Sequence, residues 1–359
     1  MLPTHVNIFD DTMREGLQIE NADIPVSEKL RLLDAIGETG AKVISIGSFA
    51  HPKWTPSMAA IEELAEAFVP KPGVKYTAAI FNQKGFERAD AFYPKLDVRS
   101  RRFSTHVEIC DSFARRNYNR SQAQQIAAMD GTIAAAVKDP DTEFGSVTIG
   151  SPFGSNFEGG FDLAKRLEFI ELMVNKWRDA GMDVDRISFS DAMGWNAPHT
   201  VRETIEAIRE TWPEIETFHM HLHNSRGSTI ASYYEALRLG VTDFDTSIGG
   251  MGGCPYCGNG RSAGHVPTED FVDLCHEMGI ETGYNLDKLI QAAWIAEEIV
   301  GHPLWGHVSK AGPRPRNDDV YPIDMPFVET LDEARHFRNG PSVYEGQLSP
   351  WSENSALNA

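Results

Sequence analysis

Three histidines at alternate positions stand in the run Phe218-His219-Met220-His221-Leu222-His223-Asn224. In a β-strand alternate side chains share a face, so the three imidazoles point the same way, as a metal site requires. Downstream comes Gly249-Gly250-Met251-Gly252-Gly253-Cys254-Pro255-Tyr256-Cys257-Gly258-Asn259-Gly260, running on through Ala263 and Gly264 to His265. So many glycines exclude a helix or strand interior and predict a flexible loop that carries reactive groups. Near the N-terminus, Asp10-Asp11-Thr12-Met13-Arg14-Glu15-Gly16-Leu17-Gln18 puts an arginine, a carboxylate and an amide in one tight turn. Each feature has a plainer reading. A lone H-x-H is more often a strand with hydrogen-bonded core histidines, Arg14 and Glu15 a surface ion pair, Asp191 a helix cap, and Cys254 a small buried thiol.

Whether these groups meet depends on the elements that carry them. Candidate strands are Val6 to Asp10, Lys42 to Ile46, Val74 to Ile80, Phe103 to Ile109, Ser146 to Ile149, Arg186 to Ser190, Thr217 to Leu222 and Asp243 to Ile248. Between them lie stretches such as Ser27 to Thr39, Gln122 to Val137, Phe161 to Ala180, Thr200 to Thr211 and Ser228 to Leu239, whose apolar residues recur at helical spacing. Eight β-then-α units predict an α/β chain folded as a closed (β/α)8 TIM barrel, with a doubly wound open sheet as the alternative. Active groups of such a barrel gather at the C-terminal ends of the strands. The Arg14 turn follows the first candidate strand, Asp191 the sixth, His221 and His223 end the seventh, and the loop to His265 follows the eighth. A carboxylate with two imidazoles is a minimal divalent-cation set. The barrel domain is expected over residues 1–310, with a proline-rich C-terminal extension over 311–359 packed on the barrel or on a neighbouring subunit.

Composition narrows the partners. The formal net charge of the 359 residues is -19, which repels nucleic acid and anionic membrane surfaces. No apolar stretch approaches the ~18–20 residues of a membrane span, and nothing at the N-terminus reads as a targeting signal. Four cysteines are too few for a disulfide scaffold and fit a reducing compartment, so a cytoplasmic location is expected. Cys254 and Cys257 have CxxC spacing, but a redox pair of that kind opens a helix, whereas this one sits among glycines.

Asp10-x-Thr12-x-Arg14-Glu15-Gly16-x-Gln18 with the later His221-x-His223 resembles the DRE-TIM metallolyases, and within them the hydroxymethylglutaryl-CoA lyase branch. The resemblance runs through Ser48 to Met58, Asn82-Gln83-Lys84-Gly85-Phe86, Asp111 to Asn119, Gly252-Gly253-Cys254-Pro255-Tyr256 and Thr268-Glu269-Asp270. It implies a divalent cation, Mn or Mg first and Zn, Co or Fe as alternatives, held by Glu15, His221, His223 and His265. It also implies that Arg14 holds an enolate, that Cys254 assists proton transfer and that Asp191 orients a ligand or shuttles a proton. Gln18 would support Arg14 or the substrate, Ser45 and Arg226 would line the substrate site, and Lys84, Arg115 and Arg116 are candidate contacts for CoA phosphates.

Two positions depart from the lyases: Ser45 stands where they carry a catalytic glutamate, and His265 where they carry an asparagine ligand. The implied activity is cleavage of a 3-hydroxy acyl-CoA by a homodimer. A condensing synthase of the isopropylmalate synthase type, or an aldolase acting on a free 2-oxo acid, is the alternative.

Overall fold

The computed structural model describes residues 2–53, 55–100, 102–260, 263–316 and 320. Each candidate strand forms: β1 (Asn7–Asp10), β2 (Val43–Ser48), β3 (Lys75–Ala79), β4 (Ser104–Glu108), β5 (Gly145–Gly150), β6 (Val184–Asp191), β7 (Thr217–Leu222) and β8 (Asp243–Thr246). At least one helix follows every strand, and all eight pair in parallel in the order β3-β2-β1-β8-β7-β6-β5-β4. Pairing of the first strand with the last is what curls a (β/α)8 sheet into a TIM barrel. The remaining seam lies between β3 and β4, where no ladder forms among the described residues. There the segment after β3 turns back, and the Asp97 backbone N–H donates to the Tyr76 carbonyl at 2.8 Å.

The strands alternate as a sheet packed on two sides must. Outward residues such as Ile44, Val107, Ile149, Ile187, Phe189, Phe218, Met220, Leu222 and Phe244 are fully buried against the helices, each contributing roughly 1.5–3 kcal/mol of burial. The inward face is unusually polar. Branched apolar side chains fill most barrel interiors, but here His106, Thr148, Ser188, His219 and Asp243 follow one another from strand to strand in the ladder, all sharing one face. These groups are tied together. Arg186 pairs with Asp243 at 2.9 Å, and the Asn7 amide donates to Asp243 at 2.7 Å.

Ser27, Ser57 and Thr268 fall in the first turns of their helices, which begin directly after or at prolines Pro25, Pro56 and Pro267. Beyond Ala311 to Arg316 and Val320, the C-terminal extension lies outside the described residues. Its start is held by Arg314, which pairs with Glu277 at 2.9 Å. Among the described residues no helix is long and apolar enough to cross a membrane.

Candidate metal centre

Register fixes the first part of the site. Phe218, Met220 and Leu222 take the outer face of β7, so His219, His221 and His223 face inward at the C-terminal end of the barrel. Glu15 enters from the turn after β1, whose backbone is folded tightly by donation from Glu15 N to Asp11 O at 2.8 Å. His265 arrives at the end of the glycine-rich loop. Ligand atoms of Glu15, His221, His223 and His265 all lie within 4.8 Å of one another. The imidazoles stand edge to face, with centroids 4.4 Å apart for His221 and His265 and 4.9 Å for His223 and His265.

Two glycines make this approach possible. A Cβ at Gly252, where φ is +106°, would lie 2.8 Å from the Glu15 carbonyl, and one at Gly264 would lie 2.3 Å from the Met251 carbonyl. The loop is more tethered than its composition predicts: Asn224 N donates to Gly264 O at 2.6 Å, and the Asn156 amide donates to Cys257 O at 2.7 Å.

The donor set fits a divalent cation on the evidence of its own atoms. Among the described residues, both ring nitrogens of His223 and Nε2 of His265 are buried with no hydrogen-bond partner, and orphaned buried nitrogens of this kind cost free energy unless something binds them. Burial, reinforced by the charges of His265 and His221, drives the His223 pKa well below its ordinary value, which leaves the ring neutral. Asp245 stands behind the cluster. Burial opposes its ionisation, but His219 and His221 outweigh burial and hold the carboxyl well below the usual range. It accepts from His219 Nε2 and from His221 Nδ1, both at 2.6 Å. An ionised carboxylate only accepts, so His221 carries its proton on Nδ1 and turns a bare Nε2 away from Asp245.

Arg14 completes the site's electrostatics. Its guanidinium bonds Asp11 through Nε at 3.1 Å and through Nη2, while Nη1 meets Glu15. Burial works against ionisation of Asp11, yet Arg14 and His265 hold its pKa at about 2.

Other expected residues divide. Cys254 is half-buried on the loop, its thiol against that of Cys257. Asp191 lies outside the cluster of ligand atoms: its Oδ2 accepts from the Asn196 backbone at 2.7 Å and side chain at 2.9 Å, and its carbonyl accepts from His223 N at 3.1 Å. It therefore braces the end of β7. Ser45 faces inward on β2, beside Thr77. Among the described residues the Gln18 side chain makes no hydrogen bond, so its support of Arg14 is not formed here; its backbone is used instead, N donating to Glu15 O at 3.2 Å and the carbonyl accepting from Ser57 at 3.0 Å. Arg226 is no surface ion pair, because its guanidinium donates to the Met193 and Gly194 carbonyls at 3.1 Å. Arg115 is paired with Asp111 at 2.8 Å, and Arg116 lies over the Phe157 ring. Asp11 and Asp245 were not singled out from sequence. Asp245 had a signal, since it alternates with Asp243 on a strand that must neighbour the histidine strand.

Comparison with known proteins bears on this arrangement. The family model described as HMGL-like matches residues 5–295. The chain is 31% identical over 291 residues to the mitochondrial hydroxymethylglutaryl-CoA lyase of Mus musculus, covering 81% of this chain and 84% of that one. It is 29% identical over 327 residues to (R)-citramalyl-CoA lyase of Chloroflexus aurantiacus, covering 88% and 96%. Among solved structures, an HMG-CoA lyase from Acinetobacter baumannii in complex with coenzyme A and 3-methylmalate superposes with a TM-score of 0.72 at 27% identity, covering 89% of this chain and 98% of that one. The chain belongs to the HMGL-like family, within the DRE-TIM metallolyases, and is a carbon–carbon lyase.

Proposed function

We propose that the chain cleaves a 3-hydroxy acyl-CoA thioester between its second and third carbons, with Glu15, His221, His223 and His265 holding a divalent cation. The observation that carries this is the convergence of those four donors within 4.8 Å, with Arg14 against Glu15 at the rim. A cation bound there would supply Lewis acidity and lower the pKa of the substrate hydroxyl it meets. Three imidazoles and one carboxylate favour Mn, Co, Fe or Zn over Mg.

Arg14 presents its guanidinium where the thioester oxygen gains charge, an oxyanion-type role. Cys254 stands on the loop that covers the same mouth, placed to assist proton transfer. Relatives of the chain include lyases named for hydroxymethylglutaryl-CoA and for citramalyl-CoA, which supports a short branched 3-hydroxy acyl group as the substrate. The test is direct. Protein stripped of metal is reloaded with Mn or Mg and offered each of these two thioesters. Cation-dependent release of acetyl-CoA from either supports the reading, whereas protein that binds the cation tightly yet cleaves neither would overturn it.

A further inference from the structure

We propose that Tyr118, half-buried and backed by the buried Glu108, is a further catalytic residue of the lyase step, a proton relay that faces the metal centre from the opposite wall of the barrel. This rests on the lyase reading above and names a group that reading does not use.

The ladder places Glu108. It pairs with Gly150, Gly150 with Ser190 and Ser190 with His221, so Glu108 lies in the same hydrogen-bonded row as a candidate cation ligand and on the same inward face. Its carboxyl is almost wholly buried and accepts from the Ser151 hydroxyl at 2.7 Å. A glycine makes the room, since a Cβ at Gly150 would stand 2.3 Å from the carboxyl carbon.

Tyr118 ends the helix Asp111–Tyr118 that follows β4, and its hydroxyl hydrogen-bonds Glu108. Its ring meets His106 edge-on at 4.9 Å. The charges of Cys254, Arg14 and Glu15 act on the Tyr118 hydroxyl, so the phenol lies at the same end of the barrel as those groups. Buried carboxyls normally need a cationic partner. Among the described residues Glu108 has none: the groups facing it are Ser151 on the loop after β5, Tyr118 on the helix, Asp191 at the end of β6 and His106 on its own strand, whose Nε2 is 3.5 Å away and itself lacks a hydrogen-bond partner there. Burial pushes Glu108 up to about 8 and His106 down to about 4, so near neutral pH the carboxyl keeps its proton and the imidazole carries no charge.

The step balances with what is present. As the bond between the second and third carbons breaks, its electron pair becomes the enolate and the substrate hydroxyl releases its proton to solvent. Tyr118 gives its phenolic proton to the second carbon while taking the Glu108 proton, which leaves Glu108 as a carboxylate. Water then reprotonates Glu108. A tyrosinate beside Glu15 never accumulates.

The experiment compares Tyr118→Phe and Glu108→Gln with the native enzyme, loaded with Mn. It measures kcat, KM, calorimetric Mn affinity and exchange of the acetyl-CoA methyl protons in deuterium oxide. Tyr118→Phe should lower kcat and exchange by a factor on the order of 100 or more, with KM and Mn affinity unchanged. Glu108→Gln keeps the hydrogen-bonding shape but has no proton to give. It should lower kcat and abolish the decline in rate that is expected of the native enzyme as pH rises through about 8. Retention of kcat and exchange within about threefold in both variants overturns the relay, as does loss of Mn affinity in parallel with kcat, which marks a structural role. Native protein that cleaves no thioester yet exchanges methyl protons through Tyr118 sinks the lyase reading and keeps the relay.

Discussion

Asp245→Asn isolates the carboxylate that orients the candidate cation site without opening a cavity. In the native structure its two oxygens receive one N–H from His219 and one from His221, each at 2.6 Å. Asparagine offers one acceptor oxygen and an NH2 group, so one imidazole must surrender its proton on that side. If His221 does, its proton moves to Nε2, the atom that would otherwise face the cation. If His219 does, His221 keeps its tautomer but loses an ionised acceptor and the basicity that acceptor confers. The local charge also becomes less negative by one. All three effects weaken binding, and removal of such an outer partner typically costs 10–100-fold in affinity, about 1.4–2.7 kcal/mol. Titration calorimetry with Mn at fixed pH reads this directly, alongside a melting curve to show that the barrel is folded. Binding within about twofold of native would refute both the tautomer assignment and the place of His221 among the ligands.

Arg14→Gln should split two properties in opposite directions: turnover falls by roughly 10²–10³-fold for loss of an oxyanion donor, while Mn binds more tightly because Asp11 and Glu15 lose their fixed counter-charge. Parallel loss of both would show that the guanidinium serves only to hold the turn. Gly252→Ala adds a Cβ 2.8 Å from the Glu15 carbonyl at φ +106°. Backbone strain of about 1–3 kcal/mol should lower the melting temperature and weaken Mn binding, and a melting curve unchanged from native would contradict the close approach.

Glu269 is buried, its Oε2 accepting from Gly249 N at 3.0 Å, and burial raises its pKa from 4.5 to about 8. Between those values the unfolded chain sheds this proton and the folded chain keeps it, so stability falls as pH rises, by up to about 1.4 kcal/mol per pH unit from this group. Glu269→Gln should therefore gain stability relative to native from pH 5 to 8 in denaturant titrations. Native and variant curves that run parallel would show that the carboxyl does not titrate in that window.

Period-two and helical spacing found all eight strands because in a barrel the outer face of every strand must be apolar, and a local pattern reports that face. The same periodicity placed His219, His221 and His223 on one side of β7, and strand-end logic brought Glu15 and His265 to the same end of the barrel. Local pattern could not say what the inward face holds. Glu108, Asp243 and Asp245 read as unremarkable charges within strands, and only the register of neighbouring strands sets Glu108 in the row of His221 and Asp245 between two imidazoles. Asp191 was expected at the site from resemblance and Arg226 as a substrate contact; the folded chain ties Asp191 Oδ2 to the Asn196 amide while its Oδ1 stays buried without a partner among the described residues, and it sets Arg226 on the carbonyls of Met193 and Gly194. Sequence thus determined the elements, their order and the chemical types at the strand ends, since propensity and patterning act over a few residues. Which donors meet, which tautomer a histidine keeps and which carboxyl stays neutral depend on distances of a few ångströms between residues as far apart as Glu15 and His265, and those distances exist only once the barrel has closed.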